Sequence, residues 1–192
     1  IIIMKLKNLI LPVLMILTFS IFGNVDPIKI NTEKSSISWV GKKITGQHSG
    51  TISIKSGELI MDDDKLTGGS FVIDMSSLSV EDLKAGQGKE KLEGHLNSDD
   101  FFGINKYPEA TLSITNVIGI GKGQYKVQAN ITIKDKLQQI SFDANIGKGM
   151  ATAEITIDRT KHDIKYGSGS FFDNLGDNMI NDDFVLTVNL AF

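Results

Sequence analysis

The 192-residue chain contains no cysteine, only three prolines, one tryptophan and one arginine. The absence of cysteine excludes disulfide bonds and thiolate metal sites within this chain. Stability must therefore come from an ordinary apolar core, for which about 170 residues are enough. The single arginine, Arg159, stands among lysines, which indicates a site that needs a planar cation with several donors. The alternative interpretation is a structural salt bridge at the end of a strand, with Asp158 or Asp163 as the partner.

Charge is nearly balanced and mildly acidic. The chain has 20 Lys and Arg against 23 Asp and Glu, a formal net charge of −3, and no basic run. Nucleic acid is therefore not a predicted partner. Electrostatic docking on an anionic membrane surface is not indicated either.

Residues 1–23 have the pattern of a secretory signal peptide whose translation starts at Met4. Lysines precede an apolar run over residues 9–17, and small residues follow it. The run is shorter than the roughly 20 residues of a spanning helix and contains Pro12. We therefore expect cleavage, export to the periplasm or the medium, no stable membrane insertion afterwards, and one domain over residues 24–192. An uncleaved anchor is the alternative.

Period-two alternation dominates the mature chain. In its clearest segment the apolar positions are Tyr125, Val127, Ala129, Ile131 and Ile133. Such alternation indicates antiparallel strands with one dry face, and short connectors at 121–123, 134–136 and 147–149 predict hairpins. An apolar last strand would be a hazardous open edge, so we expect it to pair with the first strand. The predicted fold is all-β: a closed antiparallel barrel of about eight strands, with a filled interior or room for one small ligand.

Two segments interrupt the strands. Leu92 and Leu96 lie four residues apart among charged side chains, which predicts one short amphipathic helix. Residues 159–183 form a long loop before the last strand. Within this loop the acidic run 181–183, like the run 62–64, lacks the spacing of a calcium loop and is predicted to be a solvated turn.

No motif for catalysis or for a cofactor is recognisable. His48, His95 and His162 have no metal-ligand spacing, so no metal or other cofactor is expected. The Gly-Ser-Gly-Ser run at 167–170 lacks the nucleophile-elbow spacing. Adjacent aromatic residues at 101–102 and 171–172 lie in connecting segments, where both cannot point into a core. They fit the mouth or lid of an apolar cavity better.

Several short motifs follow one another in a distinctive order and spacing. They are Ser38-Trp39-Val40-Gly41-Lys42, Gly46-Gln47-His48-Ser49-Gly50, Leu66-Thr67-Gly68-Gly69-Ser70-Phe71, Ile73-Asp74-Met75, Lys91-Leu92-Glu93-Gly94-His95-Leu96, Asp100-Phe101-Phe102, Lys106-Tyr107-Pro108-Glu109-Ala110, Ile131-Thr132-Ile133-Lys134, Ile157-Asp158-Arg159-Thr160 and the run from Tyr166 to Asp177. Together they resemble the YceI-like family of exported proteins with lipocalin-like barrels. The chain departs from the family pattern at Asn130 and Asp135, where glycines are usual, and at His162, where an aromatic residue is common.

The resemblance implies a lipid or polyisoprenoid chain held in the barrel and a homodimer as the assembly. Together with the aromatic residues it predicts a binder or carrier and no catalysis. We expect the head group near the mouth, in contact with Arg159 and His48. The predicted ligand-binding residues are Trp39, His48, Phe71, Phe101, Phe102, Tyr107, Phe142, Arg159, Tyr166, Phe171 and Phe172.

Two other functions stay open at the level of sequence. One is an enzyme that acts on a small amphiphile with Arg159, Asp158 and His162. The other is a structural or stress-response barrel with no ligand and a solidly packed interior. The size of the interior separates this last interpretation from a carrier.

Overall fold

The computed structural model describes residues 27–192, so the predicted signal peptide at 1–23 lies outside the described part. This part contains nine strands, one α-helix and two short 3-10 helices. They are β1 (Ile28–Lys29), β2 (Ser36–Lys43), β3 (Gly46–Asp62), β4 (Lys65–Val80), α1 (Lys89–Asn97), β5 (Glu109–Gly121), β6 (Gln124–Ile133), β7 (Lys136–Gly147), β8 (Met150–Asp158), Arg159–His162, Gly176–Asn178 and β9 (Ile180–Ala191).

Strands β2 to β9 form a closed antiparallel barrel of eight strands, which confirms the predicted fold. The hydrogen-bonded order is β3-β2-β9-β8-β7-β6-β5-β4, and β4 pairs back with β3. The predicted pairing of the last strand with the first long one is confirmed by β2 and β9, where Ser36 faces Asn189 and Trp39 faces Leu186. The two-residue β1 pairs with the outer part of β3.

Alternation places the apolar residues inside the barrel. Strand β6 shows this directly: Tyr125, Val127, Ala129, Ile131 and Ile133 are buried, while the intervening side chains are not. The neighbouring strand β7, which pairs with β6, shows the same alternation of burial. Burial of these side chains supplies the main folding energy, about 25 cal/mol per Å² of apolar surface.

The three predicted hairpins are confirmed, and each turns on two residues with positive φ. Two of them use a Lys-Gly pair, at Lys122 (φ 54°) with Gly123 (φ 74°) and at Lys148 (φ 53°) with Gly149 (φ 76°). The third uses Lys134 (φ 50°) and Asp135 (φ 56°), so in this turn both left-handed residues are non-glycine. These angles match type I′ turns, whose twist suits paired strands.

The predicted short helix is confirmed as α1. Leu96 is its buried residue and belongs to the same core cluster as Phe101. The helix begins after Gly88, which has φ 101°. Among residues 27–192, no helix combines the length and the apolar character that crossing a bilayer requires.

The acidic run at 181–183 was predicted to be a turn, and that prediction is wrong. Strand β9 already begins at Ile180, and Asp183 faces Asp158 of β8 across a regular ladder. On the other side Ile180 pairs with Lys43 of β2, and the run forms a bulge before the next pair. These pairings override the polar local composition. The run at 62–64 does form the predicted turn, with Asp63 at φ 52°.

Candidate ligand-binding site

The barrel encloses two cavities that meet at a common waist. The upper cavity has a volume of about 130 Å³ and lies at the end that carries α1 and the 159–179 segment. The lower cavity has a volume of about 100 Å³ and lies toward the turns at 62–65 and 147–150. Five residues line both cavities: Ile37, Ile73, Ala110, Ile131 and Leu186. The two cavities therefore lie end to end, and these shared side chains form the waist between them.

The lining of both cavities is almost wholly apolar. Each cavity is several times larger than the ~10–15 Å³ that one enclosed water needs, yet it offers almost no polar partners to hold water. Such a space favours an apolar occupant, because each methylene buried contributes about 0.8 kcal/mol. The interpretation of a solidly packed barrel does not fit these volumes.

Aromatic side chains close the upper cavity. Phe101 is buried and Phe102 is half-buried, and both line the cavity with their ring centroids 6.1 Å apart. Outside them, the exposed ring of Tyr166 lies 6.0 Å from Phe101 and 4.4 Å from His95, the latter edge to face. The aromatic group thus joins α1, the turn after it and the long loop into one cover.

Arg159 fastens the long loop to the barrel. Its side chain is only 3% exposed. Nη1 donates to the carbonyl oxygens of Ile164 (2.8 Å) and Tyr166 (2.9 Å). Nε and Nη2 donate to those of Asn181 (3.0 Å) and Ile180 (3.1 Å). Four carbonyl groups from both ends of the loop therefore converge on one guanidinium, the planar multi-donor use that arginine suits.

The carboxylate partner of Arg159 is Asp182, with Nη2 and Oδ1 3.6 Å apart. The predicted partners Asp158 and Asp163 are therefore wrong for the direct ion pair. Burial lowers the pKa of Arg159, and the charge of Asp182 opposes that effect. Burial also acts to raise the pKa of Asp182, but hydrogen bonds from the hydroxyl groups of Ser168 and Ser170 outweigh it, so the pKa is lowered.

His162 is fully buried in the 3-10 helix that follows β8. Its Nδ1 lies 2.9 Å from the carbonyl oxygen of Lys136, while Nε2 is buried with no hydrogen-bond partner. Burial lowers the pKa of this imidazole. His162 therefore links the long loop to the start of β7 as a neutral side chain.

His48 lies near the start of β3 and is half-buried. Its Nδ1 is 2.8 Å from Oδ2 of Asp82, and Oδ1 of the same carboxylate accepts from the backbone N–H of Ser49 at 2.9 Å. His48 lines neither cavity. Its predicted contact with a head group is not supported by its position and stays a prediction.

The predicted ligand-binding residues divide into two groups. Those that line the cavities are Trp39, Phe71, Phe101, Phe102, Phe142 and Arg159. Those that line neither cavity are His48, Tyr107, Tyr166, Phe171 and Phe172. Among the latter, Phe171 and Phe172 are about half exposed, at the end of the barrel that the long loop covers. Their role at a mouth stays a prediction.

Sequence reasoning missed the polar residues at the rim of the upper cavity. Asn181 and Asp183 line it, and Asp182 pairs with Arg159 from the same stretch. The available signal was the acidic run immediately before a strongly alternating strand, which was interpreted as a turn. Among residues 27–192, no three His, Asp or Glu side chains are grouped closely enough to hold a metal ion.

Comparison with known proteins identifies the family. The YceI-like domain family matches residues 28–192, which is nearly the whole described barrel. The chain belongs to the YceI-like family. A UPF0312 protein of Vibrio cholerae is 30% identical over 94 residues, which cover 48% of this chain and 47% of the relative. The matched part thus spans about half the length of such curated relatives.

Solved structures share the architecture of this YceI-like chain. BcnA of Burkholderia cenocepacia has a TM-score of 0.66 at 20% identity, covering 85% of this chain and 99% of BcnA. A polyisoprenoid binding domain from Saccharophagus degradans has a TM-score of 0.60 at 15% identity, with coverages of 84% and 95%. The YceI protein of Campylobacter jejuni has a TM-score of 0.54 at 18% identity, with coverages of 98% and 90%. At these identities the likeness shows the fold.

Proposed function

We propose that this YceI-like protein binds and carries one long apolar chain, a polyisoprenoid or another single-chain lipid, inside its barrel. The observation that carries the proposal is a pair of apolar cavities that lie end to end in the barrel and share five lining residues. An elongated space of this kind suits a flexible chain better than a compact ring. The structural likeness to a polyisoprenoid binding domain supports the same ligand class.

The energetics agree with this proposal. Each enclosed methylene contributes about 0.8 kcal/mol, so some ten to fifteen enclosed carbons offset the cost of association, which is at least several kcal/mol. An insoluble chain would thereby cross an aqueous compartment inside a barrel whose outer face is charged. An apolar lining selects a ligand by its shape and discriminates little between ligands that differ in their chemical groups.

Trp39 provides a direct test, because it is the one tryptophan of the chain and it lines the upper cavity. Titration with a prenyl alcohol should change its fluorescence in a saturable way. Native mass spectrometry of the same sample should show one chain bound per protein. The Trp39→Phe variant is the control for signal that does not come from the cavity. An interior that takes up no prenyl or fatty chain would refute the proposal.

The enzyme alternative would use Arg159, Asp158 and His162. In the fold, the donors of Arg159 are committed to carbonyl groups and His162 is fully buried. Asp158 Oδ1 accepts from the backbone and the hydroxyl of Thr160 at 2.9 and 2.6 Å. These contacts support a structural use of all three, and we propose binding without catalysis. Turnover of an amphiphile that His162→Ala abolishes would contradict this.

We further propose that the protein is exported, on the basis of the signal-peptide pattern at residues 1–23. Cell fractionation and N-terminal sequencing of the mature protein check this: the expected result is a soluble exported form that begins near residue 24. Self-association into a homodimer also stays a prediction, which light scattering on the purified protein checks.

A further inference from the structure

An open depression of about 340 Å³ lies beside the upper cavity. It is lined by Gly169, Ser170 and residues 179–183. Three of these residues, Ile180, Asn181 and Asp183, also line the upper cavity. The depression and the upper cavity therefore border the same stretch of the barrel rim, at the start of β9. A chain that leaves the upper cavity over this rim would present its head group here.

The cation near this depression already has partners within the protein. Arg159 is the cationic residue in the lining of the upper cavity. Its Nε and both Nη atoms donate to four carbonyl oxygens, and Nη2 also faces Asp182 at 3.6 Å. Four of its five N–H donors are therefore committed to carbonyl groups. The remaining one, on Nη2, faces Asp182, whose negative charge competes with an anionic head group.

Acceptors, in contrast, remain available. Asp182 Oδ1 is buried without a hydrogen bond, while its Oδ2 accepts from the hydroxyl of Ser170 at 2.5 Å. Asp183 is exposed and lines both the depression and the upper cavity. Because the charges of Arg159 and Asp182 offset each other, the lining carries one net negative charge, that of Asp183.

Other cations lie near this end but outside the lining. Lys43 faces Ile180 in the register of β2 and β9 and is exposed. Lys165 is paired with Asp163 at 2.7 Å and lies over the ring of Phe171, 5.1 Å from its centroid. Exposed lysines of this kind are well solvated and contribute little to binding an anion.

We propose that this depression is the head-group subsite of the carried chain, and that it takes a hydrogen-bond-donating head without negative charge, a hydroxyl or an amine, in preference to a phosphate. This inference rests on the proposed function. It follows from a lining that contains the carboxylates of Asp182 and Asp183 and one cation, Arg159, which Asp182 and four carbonyl groups already compensate. A phosphate ester would bring about −1.5 to −2 charges at pH 7 next to Asp183 and would lose hydration that the committed donors of Arg159 do not replace.

The test compares three probes with one tail: farnesol, farnesylamine and farnesyl monophosphate. Affinities come from Trp39 fluorescence at pH 7.4, below the critical micelle concentration of each probe. We expect the alcohol and the amine to bind about tenfold or more tightly than the phosphate. Asp183→Asn should narrow this difference by strengthening phosphate binding. Asp63→Asn, in the turn at the opposite end, is the matched control and should leave it unchanged.

The outcomes separate the two proposals. Equal or tighter binding of the phosphate would overturn the head-group inference while the carrier function stands. A preference that Asp183→Asn does not alter would overturn the assignment of the subsite to this depression. If none of the three probes binds, both the proposed carrier function and the proposed head-group subsite are refuted.

Discussion

Arg159 connects both ends of the long loop with a single side chain, so its replacement tests how that loop is held. Arg159→Lys keeps the charge but cannot reach four carbonyl groups at once. We expect it to lower the free energy of unfolding by about 2–4 kcal/mol, measured by urea denaturation. Amide exchange should rise first in residues 163–179.

The matched control for Arg159 is a cation in an exposed pair. Lys126 lies 3.2 Å from Asp143 on the surface. Lys126→Ala should change stability by only about 0.5 kcal/mol. An equal effect of the two substitutions would contradict the role assigned to Arg159.

His162 makes stability depend on pH. Burial holds its pKa in the folded protein below the ordinary 6.5, so the unfolded chain binds a proton first as the pH falls. Stability is therefore complete above pH 6.5 and declines below it, by at most about 1.4 kcal/mol per pH unit, until the lowered folded pKa is reached. Urea denaturation at pH 7.5, 6.5 and 5.5 measures this.

His162→Phe removes the titrating group and retains a buried ring. The decline between pH 6.5 and 5.5 should then disappear, although the hydrogen bond to Lys136 is lost as well. A variant with the same pH profile as the parent would show that another group is responsible. Carboxylates with lowered pKa values, such as Asp74 and Asp99, act only at more acidic pH.

At the scale of elements, the β6–β7 hairpin is the strained one. Lys134 and Asp135 both have positive φ, a conformation that costs non-glycine residues energy. Asp135→Gly should therefore raise the free energy of unfolding by about 0.5–1 kcal/mol, measured by thermal and urea denaturation. No increase would mean that Asp135 carries no strain at this turn.

The β5–β6 hairpin provides the opposite case. A Cβ at Gly123 would lie 2.2 Å from the carbonyl oxygen of Ile146, so Gly123→Ala must displace the neighbouring strand end. We expect it to destabilise the protein clearly. The two substitutions thus separate two reasons for a glycine in a hairpin: its tolerance of a positive φ, and the lack of space for a Cβ.

How far an element can be predicted depends on how local its cause is. Strands such as β6 are predictable because each alternating residue reports its own face, and Trp39, Phe71 and Phe142 were placed inside by that rule. The Arg159–Asp182 pair was not predictable, because the path of residues 163–179 decides which carboxylate arrives. The start of β9 at Ile180 depends on its pairing with Lys43 of β2 and not on the polar composition of the residues that follow.

At the scale of the whole molecule, the waist between the cavities decides which chain lengths fit. Ala110 lines both cavities. Ala110→Leu adds an isopropyl group that borders two cavities, so we expect it to cost less than the roughly 1–3 kcal/mol of overpacking a filled core. It should weaken binding of a long prenyl alcohol more than that of a short one, as Trp39 fluorescence measures.

The control for this substitution is Ala85→Leu, at an exposed position in the link before α1. Ala85→Leu should leave the affinities for the long and for the short prenyl alcohol unchanged. Equal weakening of long and short chains by Ala110→Leu would mean that the chain does not pass the waist. The lower cavity would then have no part in binding.

The closure of the barrel also has a kinetic consequence. The β2–β9 seam joins segments that are far apart in sequence, and the backbone N–H of Ala191 donates to Ser35 Oγ across 156 residues. Contacts of such long range slow folding, because loop-closure entropy is lost before they form. Until that seam forms, the apolar face of every strand stays open to solvent. A slow folding phase that urea-jump experiments detect, sensitive to substitution of Ser35, is the expected signature.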